Sequence, residues 1–242
     1  MSENHTFVLQ QVIDDLLNCN NSLESPLLKL NYFARLIKNE ELIQYTNLEI
    51  NGYKGTELPS YRKTVATLNV KLQAWHNFHV KELPISMLDK PLIEKLSFFD
   101  IHDGIKVLEN TALKAHKNES PLLISELPME LLAFLQPAAA KLYKTDVELQ
   151  VISAWISANS NIIIQILSTV RSKLLAFTME IADHFGYNIE ISSFKKQEIS
   201  NNNTINNFIR TEIINNGNGN INNTGDDTNL VAEITLKSGK KE

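Results

Sequence analysis

Between Ser160 and Gly186 apolar side chains recur at Ile163, Ile166, Leu167, Val170, Leu174, Phe177, Ile181 and Phe185, the three-and-four spacing of a helix with one continuous greasy stripe. Asn159 and Ser160 stand where an N-cap belongs and Gly186 where a helix stops. The pattern therefore predicts a helix of roughly 40 Å on which the other elements pack. Three shorter amphipathic helices are expected ahead of it. Phe7 to Leu17 gathers Phe7, Val8, Val12, Ile13, Leu16 and Leu17 on one face. Ser25-Pro26 opens a second helix through Leu30, Phe33, Ala34 and Ile37, with proline at the first helical position. Asn39 opens a third with Glu40 and Glu41 in its first turn, where carboxylates oppose the helix dipole, and it runs to Gly52.

Past Gly52 the period changes. From Arg62 to Trp75, Ala66, Leu68, Val70, Leu72 and Ala74 alternate with Thr67, Asn69, Lys71 and Gln73, which predicts a strand with one wet face. A second alternating run, Val147, Leu149, Val151, Ser153 and Trp155, feeds directly into the long helix. Between them His76 to Pro84 reads as an irregular, solvated loop, and helices are expected at Leu92 to Phe99, at Gly104 to Ala115 and from Pro128. Pro137 is expected to kink or end the last of these. Two separated strands need partners, so the expected class is α+β, mostly helical: a helical bundle with a small antiparallel sheet.

After Gly186 the composition shifts. Residues 187–207 are polar and Asn-rich and read as a linker between a body at 1–186 and a β-rich Asn/Gly tail at 208–242. Phe208 to Ile214 and Leu230 to Leu236 are β-like runs separated by Asn-Gly and Gly-Asp-Asp steps that favour tight turns. An isolated hairpin is marginal in water, and pairing its edges with identical tails removes that weakness. The expected partner is therefore a second copy of the chain, met through Phe208, Ile209, Ile213, Ile214, Ile221, Leu230 and Ile234.

Charge and cysteine usage narrow the setting. Twenty-three Lys and Arg against 28 Asp and Glu leave a net charge of −5, so there is no bulk attraction to phosphate backbones and nucleic-acid binding is not expected. Cys19 stands alone, which rules out an intrachain disulfide and suits a reducing cytoplasm. The first ten residues lack a basic start followed by an apolar run, and the greasiest run, Asn161 to Leu167, is interrupted by Gln165. No signal peptide and no membrane span are expected.

The stretch Leu48 to Arg62, LEINGYKGTELPSYR, resembles the signature of the AbiTii domain, a mostly helical module of bacterial abortive-infection systems. The matching positions are Glu49, Asn51, Gly52, Tyr53, Glu57, Leu58, Pro59, Tyr61 and Arg62. Ile105, Leu108 and Glu109 resemble the family's Ile-x-x-Leu-Glu helix. Leu167, Thr169, Val170, Arg171, Lys173, Leu174, Leu175, Phe177 and Glu180 look like its carboxy-terminal Thr-Val-Arg helix. The resemblance covers about residues 5 to 186. It implies a setting in phage defence and carries no catalytic residues. The residues themselves read as a folding corner, in which Gly52 ends a helix in the left-handed conformation, Pro59 stiffens the approach to the strand and Arg62 pairs with Glu49 or Glu57. Read instead as a surface for a partner or ligand, the same corner offers Glu49, Tyr53, Glu57, Tyr61 and Arg62.

Candidate chemistry adds little. Asp100, His102 and Asp103 in FFDIHDG, and His76 with His79, are metal-ligand types at close spacing, but neither group makes a complete ligand set. They read as a capped helix start and a solvated loop, and no metal or cofactor is expected. No arginine is followed within six residues by histidine, as a HEPN-type ribonuclease needs, and no Glu-x-Lys, Asp-x-Lys, P-loop or G-x-S-x-G occurs. Arg171 and Lys173 are expected to flank the apolar stripe with their charges in water; if Arg171 instead lines a pocket, it is the best candidate for an anion contact. These readings converge on a phage-defence module that acts through partner recognition and self-assembly rather than its own catalysis. A toxic effector, enzymatic or membrane-active, is the alternative, and a nucleic-acid sensor a third.

Overall fold

The computed structural model describes residues 5–118, 122–143 and 148–214; Ile221, Leu230 and Ile234 lie outside them. The chain opens with β1 (Thr6–Val8), α1 (Gln10–Leu17), α2 (Glu24–Ile37) and α3 (Glu40–Asn51). A 3-10 turn at Ser60–Arg62 leads into β2 (Lys63–Val65), β3 (Thr67–Ala74) and β4 (Asn77–Glu82). Next come α4 (Lys90–Leu96), β5 (Phe98–Asp100), α5 (Ile105–Asn118) and β6 (Leu122–Glu126). Then follow α6 (Leu132–Leu142), β7 (Leu149–Asn159) and α7 (Asn161–Phe185). β8 (Asn188–Glu190), α8 (Ile191–Lys195), α9 (Glu198–Phe208) and a π-helical turn (Ile209–Ile214) complete the described chain. The class is α+β and mostly helical.

The two alternating runs find each other. β3 and β7 pair antiparallel from Thr67↔Ser157 to Ala74↔Leu149, with a bulge between Lys71 and Leu72, at the centre of a sheet ordered β4-β3-β7-β6. The buried face, Leu68, Val70, Leu72, Val151 and Ala154, packs with Leu135, Ala138 and Ala139 of α6 into one core. Pro137 lies inside α6 and does not end it. β4 replaces the loop expected over His76 to Pro84. It is joined to β3 by the two-residue turn Trp75-His76, and all six of its residues are exposed, its apolar alternation being limited to Phe78 and Val80.

The second and larger core gathers the helices around α7. Ile163, Ile166, Val170, Leu174, Phe177 and Ile181 are buried there against Phe33 and Ile37 of α2, Leu42 of α3 and Ile105 and Leu108 of α5, while Leu167 and Phe185 lie half-buried at its margin. Among the described residues α7 is the one helix long and apolar enough to cross a membrane by length and composition. Its continuous apolar stripe is buried in the core.

The expected linker at 187–207 and the β-like run at Phe208 to Ile214 are corrected. β8 pairs with β1, and α8, α9 and the π-helical turn pack on the larger core through Ile191, Phe194, Ile205, Ile209 and Ile213. The asparagines that suggested a linker are hydrogen-bonding groups. Asn39 caps α3 by accepting the Leu42 N–H at 2.9 Å, and its amide donates to Asn202 Oδ1 at 3.1 Å and Asn206 Oδ1 at 2.8 Å. Asn202 in turn donates to the Ile37 carbonyl at 3.0 Å. Ile209 and Ile213 are therefore core residues and Phe208 is half-buried; only Ile214 of that group, 59 % exposed, offers surface.

Candidate functional site

One turn of α3 separates Tyr45 from Glu49, which puts both on one side of the helix, and Tyr53 follows just past the helix end at Asn51. Gly52 ends α3 with φ +94° and ψ 166°, a positive-φ extended conformation in place of the left-handed one expected, and equally the preserve of glycine. The chain then returns through Pro59 so that Tyr61 and Arg62 meet Glu49. Tyr53 and Tyr61 donate their hydroxyls to Glu49 Oε1 at 2.6 and 2.5 Å, and Arg62 Nη2 donates to Oε2 at 2.5 Å. Arg62 Nη1 also donates to the Asp103 carbonyl at 2.7 Å, and its carbon Cζ lies 4.6 Å from the centre of the Tyr53 ring. Neither Glu49 nor Arg62 reaches solvent.

The FFDIHDG segment supplies the far wall of this corner, and not as a metal site. Tyr53 N–H donates to the His102 carbonyl at 2.8 Å, and His102 Nδ1 donates to the Tyr53 carbonyl at 2.9 Å. Gly104 lets the two segments touch, since a Cβ there would lie 2.2 Å from the Ile50 carbonyl oxygen. Among the described residues no three His, Cys, Asp or Glu side chains gather into a metal-binding group.

Electrostatics follow from the burial. Burial and then the adjacent Glu49 carboxylate push the Tyr45 and Tyr53 hydroxyls far above the usual phenol range. Burial, Tyr45 and Glu49 do the same to Tyr61. Burial opposes the Arg62 charge, but Glu49 outweighs it and the guanidinium is held protonated more firmly than usual. The arrangement is a neutralised cluster whose charged pair is fully enclosed. Two of its polar atoms, the Tyr45 hydroxyl and Arg62 Nε, are buried without a hydrogen-bond partner.

Beside the cluster lies a cavity of about 500 Å³ walled by Tyr45, Tyr53, Leu58, Pro59 and Tyr61, with Glu57, Ser60 and Lys63 at polar positions. Ile213 and Ile214 also line it. Lys173 of α7 reaches the same place, donating to the Ile213 carbonyl at 2.7 Å and lying 5.9 Å from the Tyr61 ring centre. Of the predicted residues, then, Glu49 and Arg62 are enclosed, and Tyr53, Tyr61 and Glu57 line the cavity.

Arg171 stands apart. It neither floats in water nor lines this cavity: Nη1 donates to the carbonyls of Asp15, Leu16 and Asn18 at 3.3, 3.0 and 3.1 Å, and Nη2 donates to Asn21 at 2.7 Å. It caps the carboxyl end of α1. Glu109 holds the other side of that turn, accepting the Ser22 hydroxyl at 2.6 Å and the Leu23 N–H at 2.7 Å. Tyr45, Ser60, Lys63, Ile213 and Ile214 are cavity residues that sequence reasoning missed as such. Tyr45 sits four positions before Glu49, a spacing that placed it on the same face; nothing local tied the isoleucines to the signature.

A family model, AbiTii, matches residues 8–207, past Gly186 and through most of α9. No curated protein and no solved structure matches the chain.

Proposed function

We propose, from the premise that this chain belongs to the AbiTii family, that it is an abortive-infection module of anti-phage defence that works by recognising a partner or trigger and assembling with copies of itself. The family name carries the setting. The observation that carries the mechanism is the shared lining of the cavity: Tyr53 and Tyr61 come from the signature, and with them stand Ile213 and Ile214, from which residues 215–242 continue. A ligand or partner segment entering between Tyr45 and Ile214 touches the root of the tail, which couples recognition to assembly. The charged signature residues Glu49 and Arg62 satisfy each other inside the protein and hold the corner in shape.

Two measurements test the halves of this reading. Light scattering on the full chain, against a variant with Ile221, Leu230 and Ile234 all changed to Asp, is expected to show a smaller particle for the variant; equal masses sink the assembly half. Plaque counts on a bacterial host carrying the complete system are expected to rise when the exposed Glu57 is changed to Lys. Unchanged protection sinks the recognition half.

A second reading, an effector acting on the membrane, is favoured by the length and apolarity of α7. It requires α7 to leave the core, and dye release from anionic vesicles distinguishes it.

A further inference from the structure

The outer edge of the four-stranded sheet is built to pair. Leu83 N–H donates to the Leu68 carbonyl at 2.9 Å, and the β3/β4 register runs Asn69↔Glu82, Val70↔Lys81, Lys71↔Val80, Leu72↔His79, Gln73↔Phe78. In an antiparallel ladder the hydrogen-bonded pairs alternate, so Lys81, His79 and Asn77 bond to β3. The backbone N–H and C=O groups of Phe78, Val80 and Glu82 therefore turn outward. Tyr143 confirms this at one end by donating its hydroxyl to the Glu82 carbonyl, which keeps a second lone pair. The side chains of the same three residues share the face of the sheet opposite the α6 core. Phe78 is 55 % exposed and Val80 57 %. An exposed, hydrogen-bonding edge with apolar side chains is a template for another strand.

We propose that β4 pairs antiparallel with β4 of a second copy of this chain about a two-fold axis at Val80, joining two four-stranded sheets into one. Opposed residues in a continuous sheet face the same side, so the axis must fall on a residue and not between two. Only Val80 as centre uses all three outward positions: Val80 meets the partner's Val80, and Phe78 meets the partner's Glu82. Charge then matches as well as shape. Lys71 extends over the Phe78 ring, its Nζ 5.2 Å from the ring centre, so the carboxylate of the partner's Glu82, set against Phe78, arrives beside a waiting ammonium. Symmetry makes this ion pair twice, flanking an apolar centre of the two Val80 and two Phe78 side chains. This interface involves none of residues 215–242 and is independent of the tail.

The test is the mass of the full chain across a dilution series, by sedimentation velocity, with circular dichroism to verify folding. Lys71→Glu and Glu82→Lys are each expected to weaken self-association about tenfold or more, and the two together to restore it, because the reversed charges meet again. Val80→Pro removes an outward N–H without touching the β3 ladder and is expected to halve the subunit number of the wild-type particle. Should the double charge reversal fail to restore association, or Val80→Pro assemble as the wild type does, the proposal is overturned. A wild-type chain whose subunits meet only through the tail shows the second of these results and overturns it too.

Discussion

Arg62 Nη2 and Glu49 Oε2 meet at 2.5 Å with neither side chain reaching solvent, so the helix end at α3 and the approach to β2 are joined by a charge pair that water cannot replace. Removing one partner strands the other charge in the interior, a loss of about 3–5 kcal/mol. Glu49→Gln and Arg62→Met are each expected to destabilise the chain by that order in urea unfolding. The combined Glu49→Leu and Arg62→Met variant should lose less than the sum of the two, because no orphan charge is left. Additive losses would contradict the pairing.

The three tyrosines of the cluster give the protein an alkaline limit. Burial, aided by Glu49, raises the hydroxyl pKa of Tyr45, Tyr53 and Tyr61 in the folded chain. Unfolded tyrosine ionises near pH 10. Below that pH both states hold their protons and the stabilisation is fully present. Above it the unfolded chain releases protons that the folded chain retains, so stability falls by up to about 1.4 kcal/mol per pH unit for each tyrosine. Unfolding midpoints measured from pH 9 to 11 are expected to drop steeply, with the tyrosinate absorbance contributed by Tyr45, Tyr53 and Tyr61 appearing in step with unfolding. Tyr53→Phe should make the drop shallower; an unchanged slope would disprove the assignment.

How much of this was readable in the chain depends on whether the signal was local. The α7 stripe, the Asn39 cap and the alternation of β3 and β7 each sit within one element and were legible. β4 was not, because its alternation is only two apolar residues long, Phe78 and Val80, and sits between the Trp75-His76 turn and Pro84, which read as a loop. α9 was misread for a related reason. Ile205, Ile209 and Ile213 recur every four residues as a helix requires, but they stand among asparagines whose partners, Asn39 and Ile37, lie more than 160 positions away in sequence. The site divided the same way: the Glu49 to Arg62 pairing was one of two written into the signature, whereas the lining of the cavity by Ile213 and Ile214 is a long-range contact with no local trace.

Gly104 and Gly52 lie where two backbones meet. A Cβ at Gly104 would come 2.2 Å from the Ile50 carbonyl oxygen, and one at Gly52 would come 2.4 Å from the His102 carbonyl oxygen. Because the obstruction is backbone in both cases, the segments must part. Gly104→Ala is expected to cost about 1–3 kcal/mol, and Gly52→Ala more, since it also places a side chain at φ +94°. Thermal unfolding of the two variants checks the order. A silent Gly104→Ala would mean that α3 and α5 do not approach this closely.

Arg171 is the residue whose meaning changed most, and its variant tests the distinction between holding a fold and binding a ligand. Its guanidinium satisfies carbonyls of Asp15, Leu16, Asn18 and Asn21 at the end of α1, where a cation also opposes the negative end of the helix dipole. Hydrogen bonds from a charged donor contribute about 1.5–3 kcal/mol each, less when one group shares several acceptors. Arg171→Met keeps the packed stem and removes the donors, so the expected loss is about 2–3 kcal/mol, carried mainly as faster hydrogen exchange of the α1 amides and the turn at 18–22. Arg171→Lys supplies one ammonium in place of the fork and should recover only part of it. Loss of phage protection in Arg171→Met therefore reports on the fold when it tracks stability across the two variants. Protection lost at full stability would instead return Arg171 to the binding surface.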